Sequence, residues 1–245
     1  MEIYKHAGFE YRVERVIGAG AFGKVYEVSL PNSYLRLALK KFDPQPHIRD
    51  SSVFVEGELL QRFNQEMNYQ TECSHRNIVI IFVRHQYNPP FFVMPLADND
   101  LNTLLTKNLL DRDQKFRAIL DILDGLEYLH KKGLVHRDLK PQNILMFKGV
   151  CKISDFGLIK NVSPDNQDVI TAIFVRLGTD GYMAPELEYN MPYSHLTDIF
   201  SLGVVISKFG LTELDKIVDK CTNRTVRYRY QSIAEVRNDI LKVIN

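Results

Sequence analysis

Three glycines stand at the spacing Gly18-x-Gly20-x-x-Gly23, with Ala19, Ala21 and Phe22 between them. Without side chains in the way, the backbone N–H groups of such a run can approach phosphate oxygens. Read alone, the run equally describes an ordinary glycine-rich hairpin. A dinucleotide-binding turn fails its own context, because residues 24–30 carry a strand pattern where that fold requires a helix. Seventeen residues after Gly23, Lys40 ends the apolar run Leu37-Ala38-Leu39; its stem would be buried and its ammonium must find an anion. The octet His136-Arg137-Asp138-Leu139-Lys140-Pro141-Gln142-Asn143 holds a carboxylate that can accept a hydroxyl proton, a lysine for a phosphoryl group in transfer and an amide for a metal. Asp155, in Asp155-Phe156-Gly157, adds a carboxylate suited to Mg²⁺. Ala184-Pro185-Glu186 closes the long irregular stretch that follows.

The elements that must position these groups fall into two halves. Alternating or β-branched segments at 9–17, 24–30 and 34–42 read as successive antiparallel strands. Residues 43–50, with Pro44 and Pro46, read as a loop, and Ser51 and Ser52 offer an N-cap for a helix carrying Leu59, Leu60, Phe63 and Met67. Residues 78–83 and 91–94 read as two further strands. Beyond Pro95 the spacing turns helical, at 101–105 and over 112–130 with Phe116, Ile119, Leu120, Leu123, Leu126 and Leu129. A hairpin is expected from 143–146 and 150–154 around Lys148 and Gly149, and later helices over 197–209 and 232–244. The expectation is an α+β, bilobal chain with a cleft between a β-rich part and a helical part.

Composition narrows the function classes. The 245 residues hold 31 Lys and Arg against 30 Asp and Glu, a net charge of +1. No large electrostatic field advertises nucleic acid or an anionic membrane. Three widely spaced cysteines, Cys73, Cys151 and Cys221, read as core thiols in a reducing compartment. The longest apolar runs, 78–83 and 202–206, fall far short of the roughly 20 residues a membrane helix needs, and the start lacks a leader pattern. A soluble, cytoplasmic chain without a membrane span is expected.

Taken in order and at these intervals, the motifs closely resemble those of the eukaryotic-type protein kinases, from about residue 9 to about residue 240. The resemblance implies a bilobal kinase fold filling residues 1–245 as a single domain, with an N-lobe over 1–95, one main helix in it, and a mainly helical C-lobe over 96–245. It implies ATP and Mg as cofactors. By the same resemblance residues 18–23 cover the phosphates and Lys40 contacts them, paired with Glu66 in preference to Glu56 or Glu58. Val25, Ala38 and Leu145 flank the adenine, and the connector of Met94, Pro95, Leu96 and Ala97 offers it backbone hydrogen bonds. Asp138 is the catalytic base, Lys140 neutralises the transferring group, and Asn143 and Asp155 hold Mg²⁺. Lys140 and Thr179 resemble the serine/threonine branch, so the implied reaction moves the γ-phosphate to Ser or Thr of a protein substrate. Arg137 implies control by the loop, with Thr171 and Ser163 as candidate phosphosites, Thr179 less so, and Asp165 and Asp168 as built-in substitutes. Asp198 resembles the aspartate that holds the catalytic loop, and Arg229 the arginine that pairs with Glu186.

Three departures from the family stand out. Pro95 replaces an acidic connector residue, and Gln70 stands one turn after Glu66 where an apolar side chain is usual. After Phe209, part of the C-lobe with its docking helix is missing, because residues 211–222 already resemble the late helices. An activating or docking partner at the shortened lobe is therefore a further expectation. Arg224, Arg227 and Arg229 read as a charged, solvated loop more than as a docking patch. Two rival functions are a kinase-fold scaffold, favoured by Gln70 and the missing helix, and a small-molecule phosphotransferase. Against the first stands the complete set Lys40, Asp138, Asn143 and Asp155. Against the second stand Lys140 and the long segment ending at Glu186, on which a peptide could lie.

Overall fold

The computed structural model describes residues 2–49, 57–162, 181–188 and 192–244. The chain divides into two units, one formed by Met1–Ser74 with Val79–Ala97 and the other by His75–Ile78 with Asp98–Asn245.

In the first unit β1 (Ile3–His6), β2 (Phe9–Ala19), β3 (Gly23–Ser29), β4 (Arg36–Phe42), β5 (Val83–His85) and β6 (Phe91–Pro95) form one antiparallel sheet in the order β1-β2-β3-β4-β6-β5. Two helices join it, α1 (Pro46–Arg49) and α2 (Glu58–Thr71). Strand β4 lies between β3 and β6, and Leu37, Ala38, Leu39 and Lys40 are all buried. A run of four buried residues is what a strand covered on both faces requires. Leu37 and Leu39 join Tyr4, Tyr11, Tyr26, Val28, Phe91 and Val93 in one core cluster. Alternation sends Ala38 and Lys40 to the opposite face. Phe63 of α2 packs on Phe42 and Phe92, with ring centroids 5.6 Å apart in both pairs.

Three expectations needed correction here. The stretch read as a loop at 43–50 contains α1, because a proline in the first helical turn costs no hydrogen bond and presets the helical φ. Helix α2 starts at Glu58 behind Gly57, whose φ of 83° and lack of a side-chain cap leave no role there for a serine; Ser51 and Ser52 lie outside the described residues. The apolar run 78–83 is not a strand. Ile78 makes a lone parallel bridge to Ile153 in the second unit, and strand pairing begins at Val83. Ile78 and Val79 are fully buried while Ile80 and Phe82 are exposed, so their β-branched character reflects burial and not a pleated ladder. Strand β1 was not anticipated; four residues with a single buried side chain, Tyr4, make too short a period to read.

The second unit contains α3 (Leu101–Thr106), α4 (Arg112–Lys131), α5 (Pro185–Glu188), α6 (His195–Ser207), α7 (Asp215–Cys221) and α8 (Ile233–Ile244). Its short strands are β7 (Asn99–Asp100), β8 (Leu134–Val135), β9 (Ile144–Phe147), β10 (Val150–Ile153) and β11 (Lys160–Asn161). Helix α4 opens on a reciprocal capping box between Asp111 and Gln114 and buries Phe116, Ile119, Ile122, Leu123, Leu126 and Leu129. Gly125 lets α4 pass the chain at Asn77, where a Cβ would lie 2.8 Å from the Asn77 carbonyl. The expected hairpin is β9 and β10, turned by Lys148 and Gly149 at φ 48° and 82°, the two left-handed residues of a tight hairpin turn. All three cysteines are buried, and burial pushes the thiols of Cys151 and Cys221 up to about 12. Among the described residues no helix is long and apolar enough to cross a membrane.

Candidate active site

The first unit holds the glycine run and the lysine. The three glycines do different work. Gly23 faces β4, and a Cβ there would sit 2.2 Å from the Lys41 carbonyl oxygen, whereas one on Gly20 would meet nothing closer than 3.8 Å. Gly23 thus permits the tight β3–β4 pairing, while Gly18 and Gly20 leave the backbone of the turn uncovered. The turn closes with Gly20 N–H donating to the Gly23 carbonyl at 2.8 Å. Phe22 between them is buried, while Ala19 is exposed and Ala21 half-buried. Gly23→Ala is expected to lower stability by about 1–3 kcal/mol through overpacking against backbone, with Gly20→Ala close to wild type in thermal unfolding. Equal losses in both would contradict this division.

Lys40 is 5% exposed and its Nζ lies 2.5 Å from Oε1 of Glu66 and 5.9 Å from the Phe92 ring centroid. Spacing on α2 explains the partner. Leu59, Phe63, Glu66, Met67 and Gln70 share the buried face, and Glu58 instead pairs with Arg62 one turn on, at 3.0 Å. Glu56 lies outside the described residues. Gln70, the unusual residue one turn later, is buried and donates from Nε2 to the Val79 carbonyl at 2.9 Å, tying α2 to the chain that leads into β5. Register places Val25 opposite Lys40 and Ala38 opposite Met94. Met94 is buried, with Val25 and Leu96 half-buried.

The second unit gathers the octet. Asp198, fully buried in the first turn of α6, accepts the backbone N–H groups of His136 and Arg137, both at 2.8 Å, and contacts His130 Nε2 at 2.9 Å. Burial alone would raise its pKa; bonds to His130 and the backbone outweigh that and hold it below the ordinary range. His130 was not singled out from sequence, since a histidine at a helix end carries no pattern. Arg137 holds a left-handed φ of 66°, and Asp155 one of 61°. Such values cost a non-glycine residue of order 1 kcal/mol or more and persist where surroundings impose them. Lys140 Nζ lies 2.7 Å from Asp138 Oδ2, and Asn143 Nδ2 donates to the Asp138 carbonyl and to Oδ2, at 2.9 and 3.0 Å. Ser154 donates from backbone and hydroxyl to the Asn143 carbonyl, both at 2.9 Å, and its own carbonyl lies 3.0 Å from His136 Nε2. Burial pushes the Asp138 pKa up; Lys140 opposes this and the Asp155 charge adds to it. Leu145, half-buried on β9, pairs with Lys152.

The donor set fits a hard cation. Asn143 carries an amide oxygen besides the nitrogen that donates to Asp138, and Asp155 carries a carboxylate, both donor types that suit such an ion. Mg²⁺ takes one or two protein oxygens of this kind and fills its other positions with water and phosphate.

Glu186 and Arg229 form a buried bidentate pair, at 2.7 and 2.8 Å, and Thr197 donates to the same carboxylate at 3.0 Å. Arg229 is thereby separated from the charged loop it was grouped with in sequence. Thr171, Ser163, Thr179, Asp165 and Asp168 lie outside the described residues.

The profile of the protein kinase domain matches residues 11–237. The chain belongs to the protein kinase domain family, with the α+β fold of that family. It is 35% identical over 206 residues to the probable serine/threonine-protein kinase fhkB of Dictyostelium discoideum, covering 80% of this chain and 17% of that protein. It is 33% identical over 214 residues to the MDIS1-interacting receptor like kinase 2 of Arabidopsis thaliana, covering 83% and 19%. The serine/threonine-protein kinase PknD of Protochlamydia amoebophila is 28% identical over 295 aligned positions, covering 94% of this chain and 29% of that protein. An alignment longer than the chain means that this relative carries residues inside the matched region that the chain lacks. The chain spans less than a third of the length of each of these three.

Proposed function

We propose that the chain is an ATP- and Mg²⁺-dependent serine/threonine protein kinase, built as one domain over residues 1–245. The observation that carries this is the pairing of Lys40 with Glu66, and of Asp138 with Lys140 and Asn143. Lys40 binds the α- and β-phosphates of ATP beneath the turn of residues 18–23. Val25, Ala38 and Leu145 flank the adenine, and the backbone at Met94 and Leu96 bonds it. Asp138 orients the substrate Ser or Thr hydroxyl and takes its proton as the oxygen–phosphorus bond forms and ADP departs. Lys140 neutralises charge on the group in transit. Asn143 and Asp155 would hold Mg²⁺, which would supply charge stabilisation on the phosphates. Positioning and electrostatics carry most of the rate, since the transition state is loose.

The serine/threonine choice rests on Lys140 and on the relatives' names. Self-phosphorylation at Thr171 or Ser163 belongs to the same reading. So does a C-lobe shortened after Phe209, supported by the short link from α6 to α7 and by the longer aligned relative. A substrate or regulator therefore docks elsewhere than on the missing helix. A reducing intracellular setting fits the need for ATP.

The test compares phosphoryl transfer by Glu66→Ala and Glu58→Ala. Glu66→Ala is expected to lose about 10²-fold in kcat/KM through a misplaced Lys40. Glu58→Ala breaks a partly exposed i,i+4 pair and is expected within about threefold of wild type. The reverse order would remove Lys40 and Glu66 from the site.

A further inference from the structure

The segment entering α6 touches Arg137 at two ends. Asp198, in the first turn of the helix, takes the Arg137 backbone N–H at 2.8 Å. Tyr193, immediately before the N-cap Ser194, lies under the Arg137 guanidinium, 4.6 Å from carbon Cζ to ring centroid. The same guanidinium donates from Nε to the Leu158 carbonyl at 2.8 Å. Leu158 follows Asp155-Phe156-Gly157 directly, so one side chain joins the octet to the segment carrying Asp155. Arg137 is 4% exposed and its backbone sits at a left-handed φ of 66°. A strained residue of this kind keeps its conformation only while its contacts over-determine it.

We propose that Tyr193 is a positioning residue for phosphoryl transfer. Its ring carries the buried Arg137 cation, and through Arg137 it fixes Asp138, the next residue in the chain, together with the Asp155–Leu158 turn. A desolvated guanidinium on an aromatic face is attracted by the ring quadrupole, and a phenyl ring serves as well as a phenol. The hydroxyl is therefore dispensable and the π face is not. Methionine retains most of the volume and removes the face. This inference rests on the kinase reading for its consequence in rate, but the contact itself is testable without it.

The experiment uses the full chain in five forms: wild type, Tyr193→Phe, Tyr193→Met, Arg137→Met as reference, and Tyr193→Met combined with Arg137→Met. Two measurements are made: steady-state kinetics, giving kcat and KM for ATP, and amide hydrogen exchange over residues 136–143. Tyr193→Phe should match wild type within about twofold in both. Tyr193→Met should lower kcat about 30-fold, the size of one lost desolvated cation–π contact. Its KM for ATP should stay within about twofold, and exchange over 136–143 should quicken. In the Arg137→Met background Tyr193→Met should change nothing further, because the ring acts only through that side chain. Should Tyr193→Met not fold, Tyr193→Leu takes its place. Equal losses in the two backgrounds, failure of Tyr193→Phe to restore wild-type behaviour, or unchanged exchange would each overturn the proposal. Wild type that transfers no phosphate, with exchange responding as described, would retain the contact's role and remove the kinase reading instead.

Discussion

Asp138→Ala is expected to lower phosphoryl transfer by about 10³- to 10⁴-fold, near the upper end for loss of a general base, while ATP affinity stays within about threefold. Asp138 is the one carboxylate of the octet, and Lys140 and Asn143 both donate to its Oδ2. Its loss leaves those two donors without the anion that aims them, so the substrate hydroxyl loses its acceptor and the transferring group loses a correctly placed ammonium. Nothing in the first unit changes, and Lys40 remains paired with Glu66. Rapid-quench turnover beside calorimetric titration with nucleotide separates the two effects. Transfer retained within tenfold would remove Asp138 from the role of base, and an equal collapse of ATP binding would mean that the variant had lost more than chemistry.

The second large effect is on stability. Arg229→Met leaves the Glu186 carboxylate buried without its bidentate partner, and breaking a buried pair from one side costs about 3–5 kcal/mol. At roughly 2–4 °C per kcal/mol for a chain of this size, Tm should fall by about 6–20 °C. Replacing both partners with apolar residues should cost much less, because no charge is then stranded. Burial alone would raise the Glu186 pKa, yet the Arg229 bonds, its own backbone N–H and the Thr197 hydroxyl outweigh that and hold it below the ordinary carboxylate range. A depressed folded-state pKa means that the pair's stabilisation is complete above the unfolded-state pKa and is lost as pH falls through the folded-state value. The Tm gap between wild type and Glu186→Gln should therefore narrow on acidification below the ordinary glutamate range. Thermal unfolding from neutral to acid pH checks both statements, and a Tm of Arg229→Met within 2 °C of wild type, taking about 2 °C as less than 1 kcal/mol, would contradict the first.

Much of the site was legible through its motifs: Lys40 at the end of an apolar strand had to find an acid, the resemblance chose Glu66, 26 positions on, and the buried face of α2 carries Glu66 while Glu58 turns toward Arg62. The Lys148-Gly149 turn could be read from residues that tolerate positive φ. Where burial imitates pairing the reading failed. Ile78 and Val79 look like the start of a strand because they are apolar and β-branched, yet what holds them is a lone bridge at Ile78 and a side-chain bond from Gln70 at Val79. Prolines mislead in a similar way: Pro46 starts a helix instead of forbidding one. Long-range partners outside any motif were the least visible. His130 meets Asp198 and Tyr193 meets Arg137 across 68 and 56 positions of chain, and no local pattern encodes either.

Transfer of labelled γ-phosphate from ATP by the purified chain to a generic basic protein, with Mg²⁺ and with the metal chelated, tests the central claim most directly. The account predicts label on Ser and Thr only when Mg²⁺ is present, with none from Asp138→Ala under the same conditions. Wild-type chain that binds ATP and yet labels neither itself nor the substrate, with Mg²⁺ in excess, would contradict it.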